Sequence, residues 1–169
     1  MDPGLLLVRL VVGLGIAAHG AQKLFGWFGG PGFAGITGFV TKLGFRPAPV
    51  FALLLGLGEF GGGLLIALGL LGPFGPALVI LVMLTAIFLV HRGKGFFVEG
   101  GGSELPLVYA AASLALAVTG FGAISLDAAL GLEHVWTPRL VAIVLAAAVL
   151  AALANVVIRR PPKPAPGTV

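Results

Sequence analysis

The sequence predicts an all-α integral membrane protein: a four-helix bundle followed by a fifth, C-terminal transmembrane helix. Composition is the first observation behind this. Of 169 residues, 59% are apolar and only 9% are charged, with a mean hydropathy of +1.13, whereas a soluble domain carries roughly a quarter charged residues. The second is the spacing of the charges. Between Glu59 and Arg92 stand 32 uncharged residues, between Glu104 and Asp127 there are 22, and between Arg139 and Arg159 there are 19, against the roughly 20 needed to cross the hydrocarbon. The third is punctuation, because clusters of glycine and proline separate these runs.

Pro3 suits a first helical turn, and residues 4–22 then run apolar, giving the first span. A cleaved signal peptide is the rival reading of this segment. Asp2 in place of a basic cluster, Arg9 within the apolar run and the further spans downstream favour a retained helix. Residues 23–47 are too polar and glycine-rich to span. After Pro31, however, Phe33, Ile36, Val40 and Leu43 recur at helical spacing and Gly44 is placed to end the turn, so a short interfacial helix is expected over 32–43. Phe25, Trp27 and Phe28 would then lie at headgroup depth. A second span covers 48–71 and a third 76–91, joined by the tight turn Gly72-Pro73-Phe74-Gly75-Pro76 as an antiparallel hairpin. Residues 92–104 form a polar loop that three consecutive glycines should keep mobile. A fourth span is expected over 105–121, and a polar connection leads into a fifth within 135–158. The bundle is thus assigned to 1–134, the extra helix to 135–158, and a basic, proline-rich, disordered tail to 159–169.

Five spans put the termini on opposite sides. With the N-terminus outside, Lys23, Lys42, Arg46, Arg92, Lys94, Arg159, Arg160 and Lys163 fall on the cytoplasmic side and only Arg9 and Arg139 on the other. The positive-inside rule therefore predicts N-out, C-in in a bacterial cytoplasmic membrane. The basic balance is explained by topology, so no nucleic-acid partner is expected. The chain has no cysteine, which excludes disulfides, thiol redox chemistry and thiolate metal sites. Gly100-Gly101-Gly102-Ser103 lacks the context and ending of a phosphate loop.

Ionisable groups in hydrocarbon need a partner or a role. Glu59, near the middle of the second span among Gly56, Gly58, Gly61, Gly62 and Gly63, is the clearest. One reading is packing, with glycines letting helices approach and the carboxylate paired. The other is a functional carboxylate. On the first helix Arg9, His19 and Lys23 share one broad face at 100° per residue, and an Arg9 to Glu59 ion pair is expected, with Arg9 reaching outward alone as its alternative. The predicted topology also gathers His19, Gln22, Lys23, His91, Lys94 and Glu104 at one depth on three helices. With Glu59 these are candidates for a site taking an amphipathic ligand of quinone type, an apolar slot for a tail and polar groups for a head. His19 and His91 are further candidates as haem or metal ligands, and simple interfacial anchoring is the plain alternative for the whole rim.

Several motifs in order resemble the DoxX family of small, redox-associated bacterial membrane proteins. They are His19-Gly20-Ala21-Gln22-Lys23-Leu24-Phe25-Gly26 followed by Gly29-Gly30-Pro31-Gly32, the glycine-flanked Glu59, the segment from His91 to Phe97, Glu104-Leu105-Pro106-Leu107-Val108-Tyr109, and Thr119-Gly120-Phe121-Gly122 with Ser125-Leu126-Asp127. The resemblance spans about residues 4–131. It implies a four-helix membrane bundle and an association with quinone-linked oxidoreductases, as a subunit or accessory with a soluble or membrane redox partner. The fifth helix and tail lie outside that pattern. A non-enzymatic scaffold or small-molecule permease is the alternative, and glycine-rich faces leave both self-association and packing within one bundle open.

Overall fold

In the computed structural model, which describes residues 2–160, the chain is helical without a strand among those residues. Seven α-helices follow in order: α1 (Asp2–Phe25), α2 (Gly32–Leu43), α3 (Ala48–Leu68), α4 (Phe74–Ala86), α5 (Glu104–Thr119), α6 (Leu126–Ala129) and α7 (Pro138–Ile158). A π-helical turn, Ile87–His91, prolongs α4. The tail expected from 159 onward lies, beyond Arg160, outside the described residues.

Helices α1, α2 and α3 end where the backbone turns left-handed. Gly26 (φ 73) follows α1, so this helix runs past the expected residue 22, and Gly69 (φ 66) stops α3 short of the expected residue 71. At Gly69 the Leu70 amide donates to the Leu65 carbonyl at 2.9 Å, the bond that closes a glycine-terminated helix.

Among the described residues, four stretches are long and apolar enough to cross a membrane: Pro3–Phe25, Ala48–Leu68, Phe74–His91 and Pro138–Ile158. The chain is an all-α integral membrane protein. The remaining expected span, α5, is an apolar helix of 16 residues. It rises about 24 Å, less than the roughly 30 Å of hydrocarbon.

Helices α1 and α3 pack antiparallel through glycine. A Cβ on Gly63 would lie 2.6 Å from the Ala17 nitrogen, and one on Gly13 would lie 2.6 Å from the Gly63 carbonyl oxygen. Only a missing side chain permits this approach. Farther along, Gly20 sits on the Phe60 backbone and Gly56 on the Leu24 side chain. Helix α4 returns beside α3, with Gly62 and Gly75 in contact, and α5 packs on α4 around Ile16, Ile66, Val79, Val82, Met83 and Leu116. Helix α2 folds back against the start of α3, burying Ile36 and Val40 with Phe45, Ala48 and Ala52. Helix α7 lies along α4 through Ala148 and Ala152, leaving Ile143, Leu150 and Val157 exposed.

The bundle thus has two ends. The turn end holds the α3–α4 turn, the segment 120–137 and the start of α1. The α2 end holds α2, the loop 92–103 and the end of α7, where the Arg160 amide donates to the Gly44 carbonyl at 2.8 Å. Lys42, Arg46, Arg92, Lys94, Arg159 and Arg160 all belong to elements at the α2 end. The loop there is not the loose segment its glycines suggest. Its backbone folds on itself, with the Glu104 amide on the Phe96 carbonyl at 2.8 Å and the Gly102 amide on Phe97 at 2.9 Å.

Candidate functional site

Gly15, His19 and Lys23 recur at four-residue spacing and form one stripe of α1, beside the stripe of Gly13 and Gly20 that meets α3. Because Gly20 seats α1 on the Phe60 backbone, Lys23 comes level with Glu59. The Lys23 Nζ donates to Glu59 Oε2, the one ion pair within 4 Å among the described residues. Glu59 is 4% exposed and Lys23 23%, so the carboxylate is held inside while the ammonium sits nearer the edge. Tyr109 enters from α5. Its hydroxyl lies over Gly15, where a Cβ would come within 2.6 Å of it, and its ring stands edge-on to His19 with centroids 6.1 Å apart.

These groups border a cavity of about 650 Å³ whose other walls are mainly apolar side chains, most of them from α2, α3 and α4. His91 closes it toward the loop. The ring sits at the end of the π-helical turn, with Nδ1 2.7 Å from the Gly101 carbonyl oxygen. A carbonyl only accepts, so Nδ1 is the donor in this contact. Inserted π turns of this kind displace a side chain from the regular helical register. A further polar group, from α7, is Asn155, whose Nδ2 donates to Thr85 Oγ1 at 3.2 Å. Both residues line the same cavity.

Of the residues singled out from sequence, Glu59, His19, Lys23 and His91 line this cavity, and Gln22, Lys94 and Glu104 do not. Gln22, 100° around the helix from Lys23, donates to the Phe28 carbonyl at 3.4 Å on the outside. Lys94 is exposed, and Glu104 accepts from the Val98 amide at 2.9 Å to pin the loop. His19 and His91 share the cavity. No group of three or more His, Cys, Asp or Glu among the described residues is arranged to hold a metal ion.

The expected pair between Arg9 and Glu59 does not form. Antiparallel packing sets Arg9 against the end of α3, while Glu59 lies opposite Lys23, about 21 Å farther along α1. Arg9 instead spends its guanidinium on four carbonyls: Ile66 at 3.1 Å, Ala67 at 3.0 Å, Phe121 at 2.8 Å and Ile124 at 2.6 Å. The last carbonyls of a helix are orphan acceptors at its negative end, and a cation satisfies them. Asp127 is buried close by and accepts from the Leu71 amide at 2.9 Å, the Gly72 amide at 2.7 Å and the Trp136 indole at 2.8 Å. Leu71 holds a left-handed φ of 61°, a strained conformation for leucine that this carboxylate fixes.

Tyr109, Asn155, Thr85 and Asp127 were not singled out as site residues. Two carried a signal. Tyr109 is the chain's single tyrosine, and Asn155 is the single polar residue in the uncharged run of the last helix, where an amide is costly unless bonded. Asp127 read as part of a polar connection, since nothing local shows that it folds back on the α3–α4 turn.

The DoxX family model matches residues 4–92, over half of the chain. The match takes in α1 to α4, with Lys23, Glu59, His19 and His91, and leaves Tyr109 and all of α7 outside. No curated protein and no solved structure matches the chain.

Proposed function

Since this integral membrane protein belongs to the DoxX family, we propose that its cavity binds the head group of a lipid-soluble quinone and that it serves as a subunit or accessory of a quinone-linked oxidoreductase. The observation that carries this reading is the Lys23–Glu59 pair in the wall of a mainly apolar cavity. An ammonium has three donors, and Glu59 engages one. The others suit an oxygen of a neutral head group, while Glu59, His19 and Tyr109 are placed to orient it and to exchange a proton with it. Apolar walls suit the remainder of such a ligand. With no cysteine in the chain, a bound head group would supply the redox couple and a partner protein the electrons. The cluster of exposed cations at the α2 end supports a cytoplasmic placement of that end and an N-terminus outside.

Purification in mild detergent, a visible spectrum and extraction of bound lipids test the reading. The parent protein should yield quinone in amounts comparable to protein, and Lys23→Met should yield at least about tenfold less. A haem band would replace the quinone reading with a haem site at His19 and His91. A colourless, quinone-free protein that moves solute across liposomes would replace it with a permease.

A further inference from the structure

The cavity does not end at the ion pair. Its lining continues to Leu54 of α3, Leu78 and Thr85 of α4, and Ala151 and Asn155 of α7. Leu54 is 59% and Leu78 39% exposed, and all three helices are membrane-crossing. One continuous space therefore runs from a buried ion pair to an exposed apolar surface on helices long and apolar enough to cross a membrane. Two features keep it open. Gly58, beside Glu59, meets α4 at Val82, where a Cβ would lie 2.9 Å from the valine methyl. Helix α7 buries the small residues Ala148 and Ala152 and places Ala151 at the slot. Where that run of alanines ends stands Asn155, bonded to Thr85 and retaining a carbonyl oxygen and one N–H.

We infer that α7 builds the wall of a lateral portal between α3 and α7, through which the apolar tail of a bilayer-borne ligand leaves the cavity, with Ala151 setting the width of the slot. The occupant is an amphiphile with one polar head and one apolar tail, because the charged pair, His19 and Tyr109 lie at the inner end while the opening is bounded mainly by leucines and alanine, with Asn155 bonded to Thr85. A water-soluble ligand would gain nothing from that exit. In naming the head group a quinone, the inference rests on the reading above. The portal itself rests on the shape of the slot and on α7, which lies outside the family match.

The test is binding of two probes to the purified full chain in nanodiscs: a benzoquinone without a tail and the same head with a decyl tail. Ala151→Phe adds a ring to the wall of the slot, and Ala146→Phe, at an exposed position on another face of α7, adds the same ring away from it. Ala151→Phe should weaken the tailed probe at least about tenfold, as overpacking does, and leave the tail-less probe within about twofold. Ala146→Phe should change neither. Equal binding of the tailed probe to parent and Ala151→Phe overturns the portal, and so does a loss that falls on both probes alike. Failure of both probes with the parent protein overturns the quinone reading instead. The portal is then decided by mass spectrometry of tailed lipid retained through purification: its loss from Ala151→Phe alone supports it, and equal retention overturns it.

Discussion

Both ends of the bundle bury charge, and they use it differently. At the turn end Arg9 and Asp127 are each 2% exposed, and their hydrogen-bonding capacity is taken up within the fold. Arg9 donates to four carbonyls from the end of α3 and the segment after α5, and Asp127 accepts from two turn amides and an indole. At the α2 end Glu59 and Lys23 have one another, and both border open space. A buried charge whose hydrogen-bonding positions are filled from within the fold fixes where segments sit. A buried pair with donors and acceptors left over beside a cavity is equipped to receive something. In a membrane, where any buried charge invites a functional reading, the number of unused hydrogen-bonding positions separates the two cases better than burial does.

Removing the most fully engaged charge should break the turn end outright. Arg9→Met removes a donor from four carbonyls and unties α1 from α3 and from residues 121–124. With hydrogen bonds to a charged group contributing about 1.5 kcal/mol or more each, the loss of stability should be at least about 4 kcal/mol, measured by denaturant titration in detergent. Arg9→Lys should recover only part of it, since an ammonium cannot reproduce the guanidinium fork. If Arg9→Met were as stable as the parent, the turn end would not be the structural lock described here.

The α2 end should respond less, and asymmetrically. Lys23→Met leaves the Glu59 carboxylate buried without a counter-charge, a cost of about 3 kcal/mol. Glu59→Gln leaves Lys23, already partly exposed near the end of α1, able to reach water along its stem, and should cost about 1 kcal/mol. The same titration ranks the two variants. A larger loss in Glu59→Gln would mean that the carboxylate has structural partners beyond Lys23, and the contrast between the ends would weaken.

What the sequence made legible follows from what is local. Hydrophobic runs with glycine and proline between them placed the helices, since the free energy of crossing a bilayer is set by the run itself. Cation bias gathered the basic residues of α2, the 92–103 loop and the end of α7 at one end. The partner of Glu59 was not legible, because it depends on the axial offset between α1 and α3, and that offset is decided by Gly13, Gly20, Gly56 and Gly63 interlocking in one register. Shifted along α3, Arg9 could have met the carboxylate. Depth alone also gathered Gln22, Lys94 and Glu104 with Lys23. Separating them needs the rotation of each helix about its axis, which the apolar, nearly featureless faces of α4 and α5 do not encode.

That rotation supplies the finest test, with the smallest expected effect. Gln22 and Lys23 are neighbours in sequence, at one depth, and both polar. One faces outward to the Phe28 carbonyl over a long 3.4 Å contact, and the other faces Glu59 and the cavity. If the α2 end owes its chemistry to the inward stripe of Gly15, His19 and Lys23, then Gln22→Ala should change stability by no more than about 0.5 kcal/mol and leave the yield of bound ligand at the parent level, while Lys23→Met lowers both. Denaturant titration and lipid extraction on the two variants, prepared side by side, measure this. Equal losses in both would show that the polar rim acts through its general polarity at the membrane surface, and the distinction between an engaged lock at one end and an open site at the other would rest on the turn end alone.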